Sequence, residues 1–275
     1  MKALISILRE EFHKSLIQQG ILTIDKNEVP SNADKDSRLS REISLYIAKK
    51  LEAETRKKCE GQTLGGKFEI ATMDFILKTF HYLNSLRPGK WHISRLGNRN
   101  SIKTSSFVQY QHLDYLKDLT RKDVLLASSL GNDYMVAPDI VVYREPEPDE
   151  IINSDCLLID NAVSTLSVIR QSANKLPILH ASISAKWTMR SDRAQNSRTE
   201  ALGLIRNRKG HLPHIDVVTA EPLPSRLASL ALGTGDIDCV YHFALYELIE
   251  AVKYTGAEDS IEMLDTLLST KNGRG

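Results

Sequence analysis

Asp139 following Pro138, Lys186 closing Ser184-Ala185-Lys186, and Glu200 are two carboxylates and an ammonium that could work together at one site. Hard divalent ions such as Mg²⁺ prefer carboxylate, carbonyl and water oxygens, which this set supplies. A lysine beside such an ion could orient an attacking water or help take its proton, with the charge of a phosphodiester stabilised in an in-line displacement. The spacing does not force this reading. There are 46 residues between Asp139 and Lys186 and 13 between Lys186 and Glu200. Most such triplets carry no chemistry, and an edge-strand aspartate paired with a surface arginine, with Lys186 and Glu200 both solvated, is the plainer reading of the spacing alone.

Arg190-Ser191-Asp192-Arg193 offers a different chemistry. Arginine can grip guanine O6 and N7 while aspartate accepts from cytosine N4, so two arginines and an aspartate at a helix start match the groups of a G·C pair. Asp192 with Gln195 three positions on is also what a helix cap looks like. From Lys186 to Lys209 there are seven basic residues against two acidic ones, whereas the whole chain carries only +1. Such a run serves either a phosphate-facing surface or a solvated helix face. His211 and His214, with Cys239 and His242, have zinc-ligand spacing. Cys239 and His242 lie in an apolar run, however, where both are ordinary core residues. Gly233-Thr234-Gly235 lacks the glycine pattern of a nucleotide loop.

These residues must be held by regular elements. Leu4, Leu8, Phe12 and Leu16, then Leu39, Ile43, Ile47 and Leu51, then Phe68, Phe75, Phe80 and Leu83 recur at helical spacing. The first helix is expected to stop at Gly20, with loops from Asp25 to Ser37 and from Gly61 to Gly66. Strands are expected at Trp91 and Ile93, from Met135 to Tyr143 (enclosing Asp139), at Leu157 to Ile159, from Ile178 to Trp187 and from Ile215 to Ala220. In the strand from Ile178, Leu179, Ala181, Ile183 and Ala185 share one face. His180, Ser182, Ser184 and Lys186 share the other, so Lys186 ends the strand on its polar face. A helix is expected from Asp192 to Arg208, with Ala194, Ala201, Leu202 and Ile205 inward, and an apolar helix from Val240 to Val252. Alternating helices and strands predict a single α/β domain over residues 1–275, a central mixed sheet flanked by helices.

Composition narrows the classes. Over 275 residues, 41% hydrophobic and 26% charged residues exclude long disorder and a fibrous repeat. The near-neutral balance lacks the global footprint of a strongly basic nucleic-acid binder. Three widely separated cysteines argue against a disulfide framework and for a reducing, cytoplasmic setting. No apolar stretch is long enough to span a membrane, and the N-terminus is too quickly charged for a secretory leader.

The order Pro138-Asp139, Ser184-x-Lys186, Arg190-Ser191-Asp192-Arg193, Glu200 resembles the NgoMIV-type type II (IIF) restriction endonucleases, a branch of the PD-(D/E)XK nucleases that cuts around a CCGG core. Ser31-Asn32-Ala33-Asp34, Gly61-Gln62-Thr63, Phe68-Glu69 and nearly the whole run from Leu179 to Leu248 carry the likeness further. It is looser from Asn98 to Lys122 and from Arg144 to Lys175.

The resemblance implies a restriction endonuclease-like fold and Mg²⁺ as cofactor. Asp139 would bind the metal, Lys186 would be the motif lysine, and Glu200 would be the displaced acid, since Ser184 stands where the acid two residues before the lysine is usual. Glu69 would add a further active-site acid. The main-chain carbonyl of residue 185 would be a metal ligand; the side chain here is Ala rather than Cys, a change that a main-chain contact tolerates. Arg190, Asp192 and Arg193 would read the inner C·G pairs, Asp34 and Arg226 the outer pair, and Gln62 the minor groove. The implied target is GCCGGC in double-stranded DNA, cut after the first G to leave 5′-CCGG ends. A homotetramer, as a dimer of dimers, and a separately encoded DNA methyltransferase are the implied partners. The alternative is a DNA-binding protein on the same scaffold that no longer cuts or that reads another sequence.

Overall fold

The computed structural model describes residues 2–55, 61–96, 103–130, 137–189, 191–233 and 235–269, giving only the backbone at 61–62, 130 and 191–193. In chain order the described elements are α1 (Leu4–Gln18), α2 (Arg38–Lys50), α3 (Gly61–Phe80), β1 (Trp91–Arg95), α4 (His112–Lys122), α5 (Val124–Leu130), β2 (Ile140–Arg144), α6 (Asp149–Ile152), β3 (Ile178–Lys186), α7 (Ser191–Asn207), β4 (His214–Thr219), α8 (Pro224–Ala231), β5 (Cys239–His242), α9 (Leu245–Thr255) and α10 (Glu258–Ser269). The strands form a five-stranded sheet in the order β1-β2-β3-β4-β5. β1 and β2 are antiparallel and β4 and β5 parallel, so this is the mixed α/β sheet expected.

The chain divides into two compact units. One comprises Met1–Thr79, Ile183–Thr199 and Ile215–Gly275; the other comprises Phe80–Ser182 and Glu200–His214. Residues of β3 and of α7 belong to both.

In the first unit, α1 ends where Gly20 adopts a positive φ of 68°, a conformation that costs glycine little. Ile21 then donates back to the Leu16 carbonyl at 2.8 Å. α2 is capped by Ser37, whose side chain accepts from Ser40 N–H, and carries Lys49 and Lys50 at its negative end. α2 packs on α9, and α10 packs on α8 and α9. α8 opens with Pro224, whose missing N–H is no loss in a first turn.

In the second unit, Trp91 to Arg95 pair with Arg144 to Ile140. The side-chain amide of Gln109 joins its segment to β3, donating to Leu179 C=O at 2.7 Å and accepting Leu179 N–H at 3.1 Å.

Five sequence expectations are corrected. Gly61 to Gly66 form the opening turns of α3 and not a loop, because Leu64, Phe68 and Ala71 bury one helical stripe. Neither Gly65 nor Gly66 is needed for a close contact there. Leu157 to Ile159 are not a strand: Asn153 Oδ1 accepts both Leu158 N–H and Ile159 N–H, taking the place of a strand partner. Cys239 to His242 are β5, in register with Asp216 to Thr219, so the apolar helix starts only at Leu245. Ser182 and Ser184 are buried along with the apolar face of β3, as in a strand covered on both sides. β2 starts at Ile140, leaving Asp139 just ahead of it; the rest of that predicted strand, at 135–136, lies outside the described residues.

Asp216, on β4, is half-buried, and burial followed by the neighbouring Asp238 carboxylate pushes its pKa up to about 7. Folding therefore favours its protonated form, and that stability, full below the ordinary 3.8, is lost as pH rises through about 7. His180 and His242, both held down to about 4 chiefly by burial, act in the opposite sense between about pH 4 and 6.5. The useful comparison is therefore variant against parent at each pH. Asp216→Asn should melt a few degrees above the parent at pH 8, given about 2–4 °C per kcal/mol for a chain of this size. The gap should narrow toward pH 4, and thermal melts showing an equal gap at both would contradict the raised pKa.

Candidate functional site

The end of β3 is built from the inside out. Ser184 and Ala185 are buried and Lys186 is half-exposed, its carbonyl accepting Ala220 N–H at 3.4 Å. The next residue, Trp187, is 3% exposed and fixes that end. Its ring meets Phe68 edge-on at 5.1 Å and Phe243 at 5.5 Å. Phe243 is held in turn by its carbonyl, which lies 2.8 Å from His13 Nε2. Glu69 follows Phe68 and Lys186 precedes Trp187, so each candidate side chain stands next in sequence to one of these packed rings. Ser184 Oγ lies 3.5 Å from Ser197 Oγ in the first turns of α7. Glu69, Ser184, Ala185 and Lys186 all have bonding or electrostatic partners.

Asp139 and Glu200 belong to the second unit. Asp139 is half-buried beside the buried Pro138, and its carbonyl accepts Leu96 N–H at 3.1 Å, extending the β1–β2 ladder by one bond. Glu200 is half-buried on α7 and precedes the buried Ala201. The helix there is anchored by the buried Tyr110, whose hydroxyl donates to Leu204 C=O at 3.1 Å. By residue type alone, Asp139, Glu200 and the main chain at Ala185 offer oxygen ligands only, the donor chemistry of a hard divalent cation and not a soft one.

The zinc arrangement does not form. Among the described residues no group of three or more His, Cys, Asp or Glu could hold a metal ion. His242 Nδ1 already accepts Ala244 N–H at 3.2 Å, and burial keeps the ring neutral. Burial likewise pushes the Cys239 thiol up, away from the thiolate a zinc ligand needs.

The residues expected to read the outer base pair do meet. Asp34 and Arg226 form a salt bridge inside the first unit. They line a cleft of about 470 Å³ with Asp36, Met189, Ala194, Ser225 and Ser229. Asp34 is set by its loop: its N–H donates to Ser40 Oγ at 2.9 Å, and its Oδ1 accepts Asp36 N–H. Two residues before it, the buried Asn32 donates from Nδ2 to Ala220 C=O at 2.8 Å. Arg226 Nη1 donates to Met189 C=O at 3.2 Å and lies 3.7 Å from Glu221 Oε2. Burial opposes the guanidinium charge, but the Asp34 and Glu221 carboxylates outweigh it and leave Arg226 still harder to deprotonate.

Of the other predicted readers, Arg190 lies outside the described residues, and the side chains of Gln62, Asp192 and Arg193 lie outside them too. α7 starts at Ser191, so Asp192 falls within its first turn and not ahead of it as a cap. Ala194, one turn in, lines the cleft. The predicted set omits Glu221, which is 1% exposed. The available signal is a single acid between Ala220 and Pro222 at a strand end, a charge that burial allows only with partners.

Residues 12–274 match the NgoMIV restriction enzyme family. Over 272 residues the chain is 44% identical to the type II restriction enzyme NgoMIV of Neisseria gonorrhoeae, covering 98% of this chain and 95% of that protein. Among solved structures it aligns with the Bse634I restriction endonuclease at a TM-score of 0.38 and 15% identity, over 94% of this chain and 91% of that one. It aligns with type IIF Bse634I bound to cognate DNA at 0.37 and 15%, over 93% and 91%. At such scores the assignment rests on the sequence match.

The loop carrying Asp34 gives a direct test. Asn32→Ala should lower stability by about 1–3 kcal/mol, because Ala220 C=O loses its buried donor. Asn32→Asp, which sets an acceptor against that carbonyl, should cost more. Urea unfolding that ranks Asp above Ala in stability would contradict the Asn32–Ala220 bond.

Proposed function

Since the chain belongs to the NgoMIV restriction enzyme family, a family of DNA-hydrolysing type II restriction enzymes, we propose that it cuts double-stranded DNA at GCCGGC after the first G, with Mg²⁺, leaving 5′-CCGG ends. The observation that carries the sequence-reading part is the cleft where Asp34 and Arg226 meet beside the start of α7. A carboxylate and a guanidinium side by side complement the cytosine amino group and the guanine O6/N7 edge of one base pair. Arg190, Asp192 and Arg193 would read the inner pairs from the start of α7, and Gln62 would contact the minor groove.

Asp139, the Ala185 carbonyl and Glu200 would hold the cation, which when bound supplies charge stabilisation at the scissile phosphate. Lys186, a half-buried ammonium on a rigid strand end, would orient the attacking water and draw on its proton. Glu69 and Ser184 would complete the set. Replacing Cys by Ala at 185 leaves the carbonyl available.

The proposal extends to assembly and setting. A single domain is supported by β3, whose residues belong to both units. A homotetramer as a dimer of dimers would have an apolar surface to use. Leu157, Leu158, Val163 and Leu166 are exposed on a loop braced by Arg170, which pairs with Asp149 and donates to the carbonyls of Asp160 and Val163. Among the described residues no helix is long and apolar enough to cross a membrane. A cytoplasmic restriction role beside a separately encoded methyltransferase completes the reading.

Digestion of a plasmid carrying two GCCGGC sites in Mg²⁺, with every end sequenced, tests the proposal. Ends of 5′-CCGG at GCCGGC alone support it; ends at other CCGG-containing sites overturn the outer-pair assignment but leave the nuclease. No ends from folded protein that binds this DNA favour a binder that does not cut. Asp139→Ala and Lys186→Ala should each abolish cutting while leaving DNA binding, so wild-type cutting by either refutes its catalytic role. Arg193→Ala should cost roughly 1–3 kcal/mol of binding and relax discrimination at one G·C pair. Equal weakening on all sequences would make Arg193 a phosphate contact.

A further inference from the structure

Glu221 carries no role in the reading above, yet it is the most deeply buried carboxylate bonded to the cleft. One of its oxygens, Oε1, accepts Leu223 N–H at 3.2 Å, while Oε2 accepts Met189 N–H at 2.9 Å. The same Oε2 faces Arg226 Nη1 at 3.7 Å, and that nitrogen also donates to Met189 C=O at 3.2 Å. Met189 is thus gripped at both main-chain groups, its N–H by Glu221 and its carbonyl by Arg226. The carboxylate stands under a closed circuit formed by the segment leading into α7, the first turn of α8, and the turn that joins β4 to α8.

A free arginine side chain samples many rotamers, and ordering it on binding weakens affinity. Here the Nη1 side is committed inward to Met189 and Glu221, and the Nη2 end is turned to Asp34 in the cleft. We propose that Glu221 is a positioning residue for sequence reading: from beneath the surface it holds Arg226 and the Met189 main chain in one register, and so sets discrimination at the outer base pair. The inference rests on Arg226 reading that pair. Burial raises the Glu221 carboxyl, opposed by Met189 N–H and Arg226.

Glu221→Gln keeps an oxygen for one of the two main-chain N–H groups, sets an amide NH2 against the other, and removes the charge facing Arg226. Binding is measured in a Lys186→Ala background with Mg²⁺, on duplexes containing GCCGGC, ACCGGT (outer pair changed) and GCGCGC (inner pairs changed), with Arg226→Ala in parallel and circular dichroism confirming the fold. Glu221→Gln is expected to lose about tenfold of the preference for GCCGGC over ACCGGT, within the range of one good base contact, while the preference over GCGCGC is kept. A merely structural residue would weaken all three duplexes alike, and that result overturns the proposal, as does an unchanged outer-pair preference. If Arg226→Ala loses the outer-pair preference and Glu221→Gln does not, the inference alone fails. If Arg226→Ala keeps it, Arg226 is not the reader and both fall. Should the Gln variant not fold, Glu221→Asp, which keeps the charge on a shorter stem farther from Arg226, is judged by the same ratio.

Discussion

A carboxylate taken out of water is destabilising by several kcal/mol unless hydrogen bonds and an opposite charge offset the loss. Around Glu221, two main-chain N–H groups and one guanidinium offset part of that loss, although burial still raises its carboxyl. Its neighbours at the end of β4 extend the same arrangement. Ala220 donates to Lys186 C=O and accepts from Asn32, and Thr219 C=O accepts Phe243 N–H. Four segments, the loop before α2, the turn after β3, the start of α8 and the turn after β5, are therefore referenced to the same three residues, Thr219, Ala220 and Glu221. Because each attachment uses a main-chain group or a buried side chain, it is shielded from water and salt in a way that surface ion pairs are not.

This division of labour is visible in the exposure of each group. The groups that hold position, Asn32, Glu221 and Trp187, are almost fully buried, whereas Asp34, Arg226 and Lys186 keep part of their surface. In the proposed function the first set would anchor and the second would contact DNA, and a contacting residue must be reachable while its anchor must not move. The Asp34–Arg226 pair keeps both charges satisfied within the protein, so neither is left as an unpaired charge in a half-buried cleft.

The aromatic contacts hold the end of β3 in the same manner. Phe68, Trp187 and Phe243 come from a helix, the end of a strand and the turn after another strand, and their rings meet edge-on or tilted, the arrangement that the ring quadrupoles favour. Flanking Glu69 and Lys186 with large rings in contact fixes the backbone beside each without spending any polar group on the task. The buried strand carrying Ser184 and Ala185 adds rigidity, and a main-chain carbonyl on such a strand would be a ligand whose position does not depend on the side chain.

Much of the fold was legible in the chain. Helical spacing located α1 and α2, the alternation from Ile178 located β3 with Lys186 at its end, and Asp34 was rightly placed in a loop. The misses share a cause. Glycines at 61, 65 and 66 suggest a loop when read locally, but burial of Leu64 and Phe68 makes them helical; Val240 to His242 look helical until β4 supplies a parallel partner; Leu157 to Ile159 look like a strand until Asn153 occupies their N–H groups. Residue types and spacing determined the chemistry on offer: carboxylates with a strand-end lysine, an Arg-Asp-Arg run opening a helix, and the family that combines them in that order. Only the tertiary structure decided that Asp34 and Arg226 face each other in a cleft and that Glu221 lies beneath them. Those pairings join residues more than 180 positions apart as well as near neighbours, and a buried charge declares its partners only when the chain is folded around it.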